Sequence, residues 1–450
     1  MDADRRPHVV IVGAGFGGLY AARALRRAPV RVTVIDRKNH HLFQPLLYQV
    51  ATAALNPSDI AAPIRGLLGR KGVRVLLADV ERVDVPRKRV ILKDGEVAYD
   101  YLIVATGATH SYFGHNDWAR HAPGLKTLED ALDIRGRVLL AFEAAERVED
   151  PALRQELLTF AIIGGGATGV EMAGALAEIS RKALARDFQN IDPREARILL
   201  FEGMGKVLPP YPDTLSEAAR RSLLSLGVDV RTGAQVTEVD AHGIRVGDER
   251  IPARTIIWAA GVAASPLAAS LGAPLDRAGR VNVTQFLTVP GHDEIFVIGD
   301  LAHVEQDGKP VPGVAPAAMQ MGKHAARNVR FQVDGTPMLP FGYWDRGTFA
   351  VIGRGAAVGL AFRRFRMKGV LAWFAWLFIH LLFLIGFRNR LGVLLNWAYS
   401  YLTYRRAVRI ITGDPPVLAP SARSIGEGAQ VYGSSGSGTP SRESAPSLVH

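Results

Sequence analysis

Six glycines and two acids carry the first chemical signal in this chain. Gly13, Gly15 and Gly18 lie in Val10-Ile-Val-Gly-Ala-Gly-Phe-Gly-Gly18, between a β-branched run and a stretch rich in Ala, Leu and Arg. Gly164, Gly166 and Gly169 lie in the same setting, in Ile163-Gly-Gly-Gly-Ala-Thr-Gly169. Strand, glycine turn and helix in that order is the context in which this spacing binds a dinucleotide. The first glycine allows the tight turn, the second lets the backbone approach a pyrophosphate, and the third lets helix and strand pack closely. The helix N-terminus then offers unpaired N–H donors to the phosphate charge. Each unit ends its next strand in an acid, Asp36 and Glu202. A carboxylate at that place accepts from ribose hydroxyls and repels a 2′-phosphate, so Glu202 favours NADH over NADPH. Glu202 lies further from its glycines than Asp36 does, and the polar stretch 181–195 reads as the insertion responsible. The plainer reading of Glu202 is a solvated strand end.

The elements that position these residues repeat. Strands are expected at 8–12 and 30–36 around a helix at 19–28, and at 159–163 and 196–202 around a helix at 170–184. Gly72-Val-Arg-Val is matched by Gly227-Val-Asp-Val, and Tyr101-Leu-Ile-Val-Ala-Thr-Gly107 by Thr255-Ile-Ile-Trp-Ala-Ala-Gly261. The offsets are 151 from Gly13 to Gly164, 155 from Gly72 to Gly227 and 154 from Gly107 to Gly261. Chance likeness of glycine turns would not keep that register. The expected fold is therefore α/β, with two tandem Rossmann-like dinucleotide-binding domains. The second copy is complete by about Gly261, so 281–300, ending in Ile298-Gly-Asp300, is expected to return beside the first. That makes the first copy the better FAD site and the second the NADH site. Residues 1–115 with 275–335 form the expected FAD domain and 120–270 the NADH domain.

Composition narrows the chemistry. The chain has 450 residues and no cysteine, which removes disulfides, thiolate metal sites, iron–sulfur clusters and every redox-active cysteine pair. No metal site is expected, and electrons must pass through a bound organic cofactor. The formal net charge is +11. No acid lies between Asp345 and Asp414, a stretch holding ten arginines and Lys368, which together match the whole excess. These cations are interleaved with aromatic and aliphatic residues, a pattern that favours an anionic membrane over nucleic acid. Residues 340–412 are read as a C-terminal helical membrane-docking region, and 413–450, rich in Pro, Ser, Gly and Thr, as a disordered tail. The run 369–387 is apolar except for His380 and is a marginal candidate to span a bilayer. In 391–404, Asn396, Ser400 and Thr403 form a polar stripe at helical spacing, as in an interfacial amphipathic helix. Met1 to His8 is polar with no apolar signal region, so secretion is not expected.

These motifs, with His41-Leu-Phe-Gln-Pro-Leu-Leu-Tyr-Gln-Val-Ala-Thr52, Ile163 to Glu171, Trp258-Ala-Ala-Gly-Val262 and Val297-Ile-Gly-Asp300, give the chain a strong resemblance to the type II NADH dehydrogenases. These are the non-proton-pumping NADH:quinone oxidoreductases, and the likeness covers roughly residues 8–410. It implies a ping-pong cycle in which NADH passes hydride to the flavin of FAD, NAD⁺ leaves, and a membrane quinone takes two electrons and two protons. It implies nucleotide contacts from Gly13, Ala14, Gly15, Phe16, Gly17, Gly18, Asp36, Arg37, Val80, Ala105, Thr106, Gly107, Gly299, Asp300, Ala318 and Met319. For the second nucleotide it implies Gly164, Gly166, Gly169, Glu202, Ala260 and Gly261. Glu171 is the implied catalytic acid, which orients NADH or relays protons to quinone; the plainer reading is a helix-end charge. The family's Ala-Gln-x-x-x-Gln is here Ala315-Pro-Ala-Ala-Met-Gln320, so Pro316 replaces one amide, and Gln320 is the remaining quinone contact, beside Met319. Lys368 resembles a lysine that reaches the flavin. The resemblance places the protein peripherally on the cytoplasmic face of the inner membrane, with a homodimer possible. A soluble NADH-dependent reductase of a ferredoxin-like acceptor, or a flavoprotein sensor or scaffold, remain the competing readings.

Overall fold

The computed structural model describes residues 5–69, 72–403 and 408–412. The expected tail at 413–450 lies outside the described residues.

Two sheets, parallel except for the antiparallel edge strand Thr288–Val289 of the first, form the body of the molecule. In the first, the strand order is Thr288–Val289, His292–Val297, Tyr101–Val104, His8–Val12, Arg31–Asp36 and Val73–Leu77. In the second it is Val228–Thr232, Arg197–Glu202, Thr159–Ile163 and Thr255–Trp258. Both central strands are apolar after their first residue, as a strand covered on both faces must be: Val9 to Ile11 and Ala161 to Ile162 have no exposed surface. The register is duplicated too. Val12 lies opposite Ile35 and Val104, and Ile163 opposite Phe201 and Trp258. Each sheet carries a three-stranded antiparallel meander at the matching place, 80–98 in the first and 236–252 in the second. The strand His292–Val297 joins the first sheet, pairing Phe296 with Ile103, as the repeat pattern requires.

The helices start where the glycine turns end, at Phe16–Leu25 and Ala167–Glu178. The expected insertion at 181–195 is visible as a wide turn at Ile179–Ala183 and a tight one at Pro193–Glu195, and its backbone N–H groups at Gln189, Asn190 and Ile191 donate to the Glu146 carboxylate. Ala315–Val333 forms one helix, with Pro316 in its first turn, where the missing N–H costs no helical hydrogen bond.

Three antiparallel strands, Gly347–Gly353, Ala356–Ala361 and Phe365–Lys368, lead into the helices Gly369–Phe383 and Phe387–Thr403. This block shares one core with the second sheet: Ile162 and Leu200 belong to the same buried cluster as Ile352, Trp376 and Trp397. The apolar run 369–387 is not one helix. It stops at Phe383 and turns at Gly386, whose φ is +95°. Among the described residues no helix is long and apolar enough to cross a membrane. Of the expected polar stripe on the last helix, Thr403 is exposed, but the other two residues run the other way from an ordinary surface helix. Asn396 donates to Asp59 and Ser400 lines an internal cavity, whereas Leu391, Leu394, Leu395 and Leu402 are exposed.

Candidate functional site

The two glycine turns are copies at atomic detail. Gly13 and Gly164 take φ of +98° and +111°, which a side chain resists, and their N–H groups donate to Ile35 O and Phe201 O. A methyl on Gly18 would strike the Gly13 carbonyl, and one on Gly169 the Gly164 carbonyl, so both helices press against their own turns. A methyl on Gly15 or Gly166 would meet no atom within 4 Å. Those two positions face open space, as a cradle for a pyrophosphate requires.

The acids are copies as well. Asp36 accepts from Ala14 N at 2.6 Å and Lys38 N at 2.8 Å, and Glu202 from Gly165 N at 2.7 Å and Met204 N at 2.8 Å. The first acid stands 22 residues from its turn partner and the second 37, a difference equal to the 15-residue insertion at 181–195. Burial raises the Asp36 carboxyl above its ordinary range, while its two N–H donors pull it back. The other end of the Ala14 peptide is held too, because its carbonyl accepts from His41 Nδ1 at 2.9 Å. His41 is buried, and desolvation lowers its pKa to about 4. His41 opens the motif 41–52, but its residue type and spacing alone assign it no role.

A cleft of about 690 Å³ opens above the first turn. Gly13, Ala14, Gly15, Phe16, Gly17, Asp36, Arg37, Val80, Ala105, Thr106, Gly107, Gly299, Asp300 and Ala318 line it. Gly261 lines it from the second copy, and among the lining residues that sequence reasoning missed are Thr168, Trp258 and Val262. Thr168 was legible as the small polar residue at the start of the second helix. The position of Trp258 follows from its indole N–H donating to Ser111 O at 2.8 Å in the crossover between the two copies. Gly18 is buried behind the turn. Gly164, Gly166, Gly169 and Glu202 form the second turn and its acid, with Ala260 beside Gly261. In the cleft, the buried hydroxyl of Thr106 has no hydrogen-bond partner.

Glu171 lies one helical turn beyond Thr168, about 4.5 Å along the axis. It lines a second, small cavity of about 50 Å³ with Tyr48, Gln49, Val351 and Trp397. Its Oε1 accepts from Val351 N at 3.4 Å. Burial pushes its pKa up to about 8, against smaller opposing effects of the Val351 N–H and the Trp376 indole. The carboxyl is therefore largely protonated at neutral pH. Rings run from the first turn toward this place. Phe16 meets Phe43 at 5.8 Å, Phe43 meets His380 at 6.2 Å, and His380 stacks on Trp376 at 4.2 Å.

The large cleft is not lined by Gly18, by the second turn and its acid (Gly164, Gly166, Gly169, Glu202), by Ala260 or by Glu171, and three further sequence candidates lie away from it as well. Gln320 spends its amide on the backbone of Trp344, donating to its carbonyl at 3.0 Å and accepting from its N–H at 2.9 Å. Met319 is buried in the same helix. Lys368 is exposed, pairs with Val358 in the C-terminal sheet and precedes the helix Gly369–Phe383.

A duplicated dinucleotide fold with one cleft walled by both copies defines a pyridine-nucleotide-linked oxidoreductase. Residues 7–322 match the pyridine nucleotide-disulphide oxidoreductase family. The type II NADH:quinone oxidoreductase Ndh of Mycobacterium tuberculosis is 42% identical over 451 residues, covering 96% of each chain. NdhA of the same organism is 44% identical over 428 residues, covering 91% of this chain and 90% of its own. Among solved structures, NDH2 from Plasmodium falciparum in complex with NADH shares the fold with a TM-score of 0.82 at 20% identity, covering 91% of this chain and 100% of that one. The sulfide:quinone oxidoreductase from Aquifex aeolicus follows at 0.70 and 18% identity, over 86% and 92%. The chain belongs to the pyridine nucleotide-disulphide oxidoreductase family and, within it, to the type II NADH:quinone oxidoreductases.

Proposed function

We propose that the chain oxidises NADH and reduces a membrane quinone by two electrons, without pumping protons, on FAD held in the 690 Å³ cleft. The observation that carries this reading is that one cleft is walled by the first glycine turn and by Thr168 and Gly261 of the second copy. Two nucleotides bound at those walls meet inside it.

The residues fit a flavin dinucleotide. Gly15 leaves room for a pyrophosphate, Asp36 stands at the ribose position, and the Thr106 hydroxyl awaits a partner. When bound, FAD supplies the ability to accept a hydride and to return two electrons. The protein's part is to position the rings and to manage protons. Residues 1–115 and 275–335 hold FAD, and 120–270 hold NADH through the Gly164–Gly169 turn and Glu202. Glu171, neutral at pH 7, holds a proton one helical turn from the cleft, where a reduced quinone needs one. Gln320 acts as a brace for the Trp344 segment.

The quinone side is at the membrane. Leu371, Phe374, Phe378 and Leu382 are 52–69% exposed on one helix, and Leu394, Leu395 and Leu402 are exposed on the next. A soluble reductase of a ferredoxin-like acceptor has no use for such a surface. With the cationic block it suits an anionic leaflet, which at the inner membrane is met from the cytoplasmic face. The same surface leaves a homodimer open as a second assembly.

The test is anaerobic addition of NADH to the purified protein, followed by quinone. The flavin absorbance should bleach and then recover. A flavin that fails to bleach, or bleaches and does not recover, defeats the proposal.

A further inference from the structure

We propose that the turn Ala361–Arg364, with Trp344 and Arg346 beside it, is a binding surface for anionic lipid headgroups, distinct from the apolar helices that follow it. This rests on the membrane reading above.

The cluster is built rather than scattered. The Phe362 N–H donates to Arg346 O at 3.3 Å, which ties the turn to the Trp344 segment. The Arg346 guanidinium lies 4.5 Å over the Trp344 ring, and that ring lies 6.4 Å from Phe362. Trp344, Phe362 and Phe365 are 58%, 55% and 61% exposed. Arg346, Arg363, Arg364 and Arg366 are exposed around them, with Asp345 as the acid nearby, 3.8 Å from Arg363. Water-exposed aromatics alternating with arginines match an interface where rings sit at headgroup depth and guanidiniums meet phosphates.

The backbone points the same way. Arg364 N donates to Ala361 O at 3.1 Å, closing a turn whose two central residues, Phe362 and Arg363, have φ of +50° and +58°. Turns with both central residues left-handed are filled mostly by Gly, Asn and Asp. A phenylalanine and an arginine there oppose local stability, and such residues concentrate at functional sites. The strand Phe365–Lys368 then runs directly into the helix Gly369–Phe383, whose Leu371, Phe374 and Phe378 are exposed. One four-residue strand thus links the cationic aromatic turn to exposed apolar residues, a combination that favours a bilayer over an acidic protein.

The experiment uses the full-length holoprotein with phosphatidylcholine vesicles and with vesicles that also contain phosphatidylglycerol. One variant is Arg346→Ser/Arg363→Ser/Arg364→Ser. The other, Phe362→Asn/Arg363→Gly, installs the residues such a turn prefers. The triple variant should bind the anionic vesicles more weakly by on the order of a hundredfold at low salt, while binding to phosphatidylcholine stays as in the wild type. The double variant should unfold at a higher temperature yet bind anionic vesicles less well, a split that a merely structural turn would not give. NADH oxidation with a short-chain, water-soluble quinone should be unchanged in both. Undiminished binding of both variants to anionic vesicles overturns the proposal. So does a wild-type dimer that becomes monomeric in the variants without loss of vesicle binding, because the turn is then a contact between copies. If the wild type binds anionic vesicles through the turn but reduces no quinone, the catalytic reading fails and this one stands.

Discussion

The Trp397 indole N–H donates to Gln49 Oε1 at 2.8 Å, joining the last described helix to the segment behind the first glycine turn. Both side chains are buried, and Gln49 Nε2 donates in turn to the Tyr48 hydroxyl at 2.9 Å. The C-terminal block is thus tied to the nucleotide-binding body at the cavity that holds Glu171. Trp397→Phe would leave Gln49 Oε1 unpaired in the interior, at a cost of about 1–3 kcal/mol. The unfolding temperature should fall, and quinone turnover should fall more than NADH-driven reduction of ferricyanide. Equal losses with both acceptors would mean that the bond serves only stability.

The paired glycines separate packing from binding. Gly18→Ala drives a methyl into the Gly13 carbonyl and should destabilise the apoprotein by about 1–3 kcal/mol. Gly15→Ala meets nothing in the protein, so apoprotein stability should hold while flavin retention after gel filtration drops. Full flavin content in Gly15→Ala would argue against a phosphate at that position.

On the proposed reading, Glu202 sets the preference for the second nucleotide. Hydrogen bonds to a charged group contribute about 1.5–3 kcal/mol. Glu202→Ala should therefore lower kcat/KM for NADH by about ten- to a hundredfold and narrow its preference over NADPH, with flavin content unchanged. Steady-state rates with both nucleotides decide it, and an unaltered NADH/NADPH ratio would return Glu202 to the role of a solvated strand end.

Glu171 imposes a pH dependence whose sign follows from its raised pKa of about 8. Between about pH 4.5 and 8 the unfolded chain has lost this proton and the folded one keeps it. Stability linked to this group is complete at low pH and is lost as pH rises through that window. Glu171→Gln should remove this slope in denaturant titrations, so the variant gains on the wild type toward pH 8. Flavin should stay bound while NADH–quinone turnover slows and the alkaline limb of its pH profile, near 8, disappears. Unchanged turnover would leave Glu171 no part in the reaction.

His41 acts on the acid side. Its pKa is held at about 4 by burial, so its contribution to stability is present above about pH 6.5 and is lost as pH falls through 4. Protonation keeps the Nδ1–H bond to Ala14 but places a poorly solvated charge in the interior beside the glycine turn, so acidification across that window should loosen the turn and release flavin. His41→Gln keeps a donor without the titration and should shift flavin release to lower pH. Identical release curves would place the acid trigger elsewhere.

Much of this protein was legible in its sequence, for a reason local to the chain. A glycine at φ of +98° or +111° followed by a helix, with an acid at the end of the next strand, is fixed within a short local stretch, 22 residues from turn to acid in one copy and 37 in the other. The near-constant offset of the repeats implies that 281–300 returns to the first copy, and His292–Val297 pairs there with Tyr101–Val104. The absence of cysteine and the clustering of charge are properties of composition alone. What the sequence could not decide was the surroundings of side chains set by distant packing. Asn396 and Ser400 read as a wet stripe, yet they face the protein, because Asp59 and the cavity beside Gln49 stand opposite them and the leucines are left outside. Gln320 read as a site residue, and the Trp344 backbone occupies its amide. Glu171 gained its proton affinity only when the C-terminal sheet, through Val351, closed over it and removed its water. Backbone motifs carry their geometry in the local chain, whereas burial, polarity and pKa belong to whatever the fold brings against them.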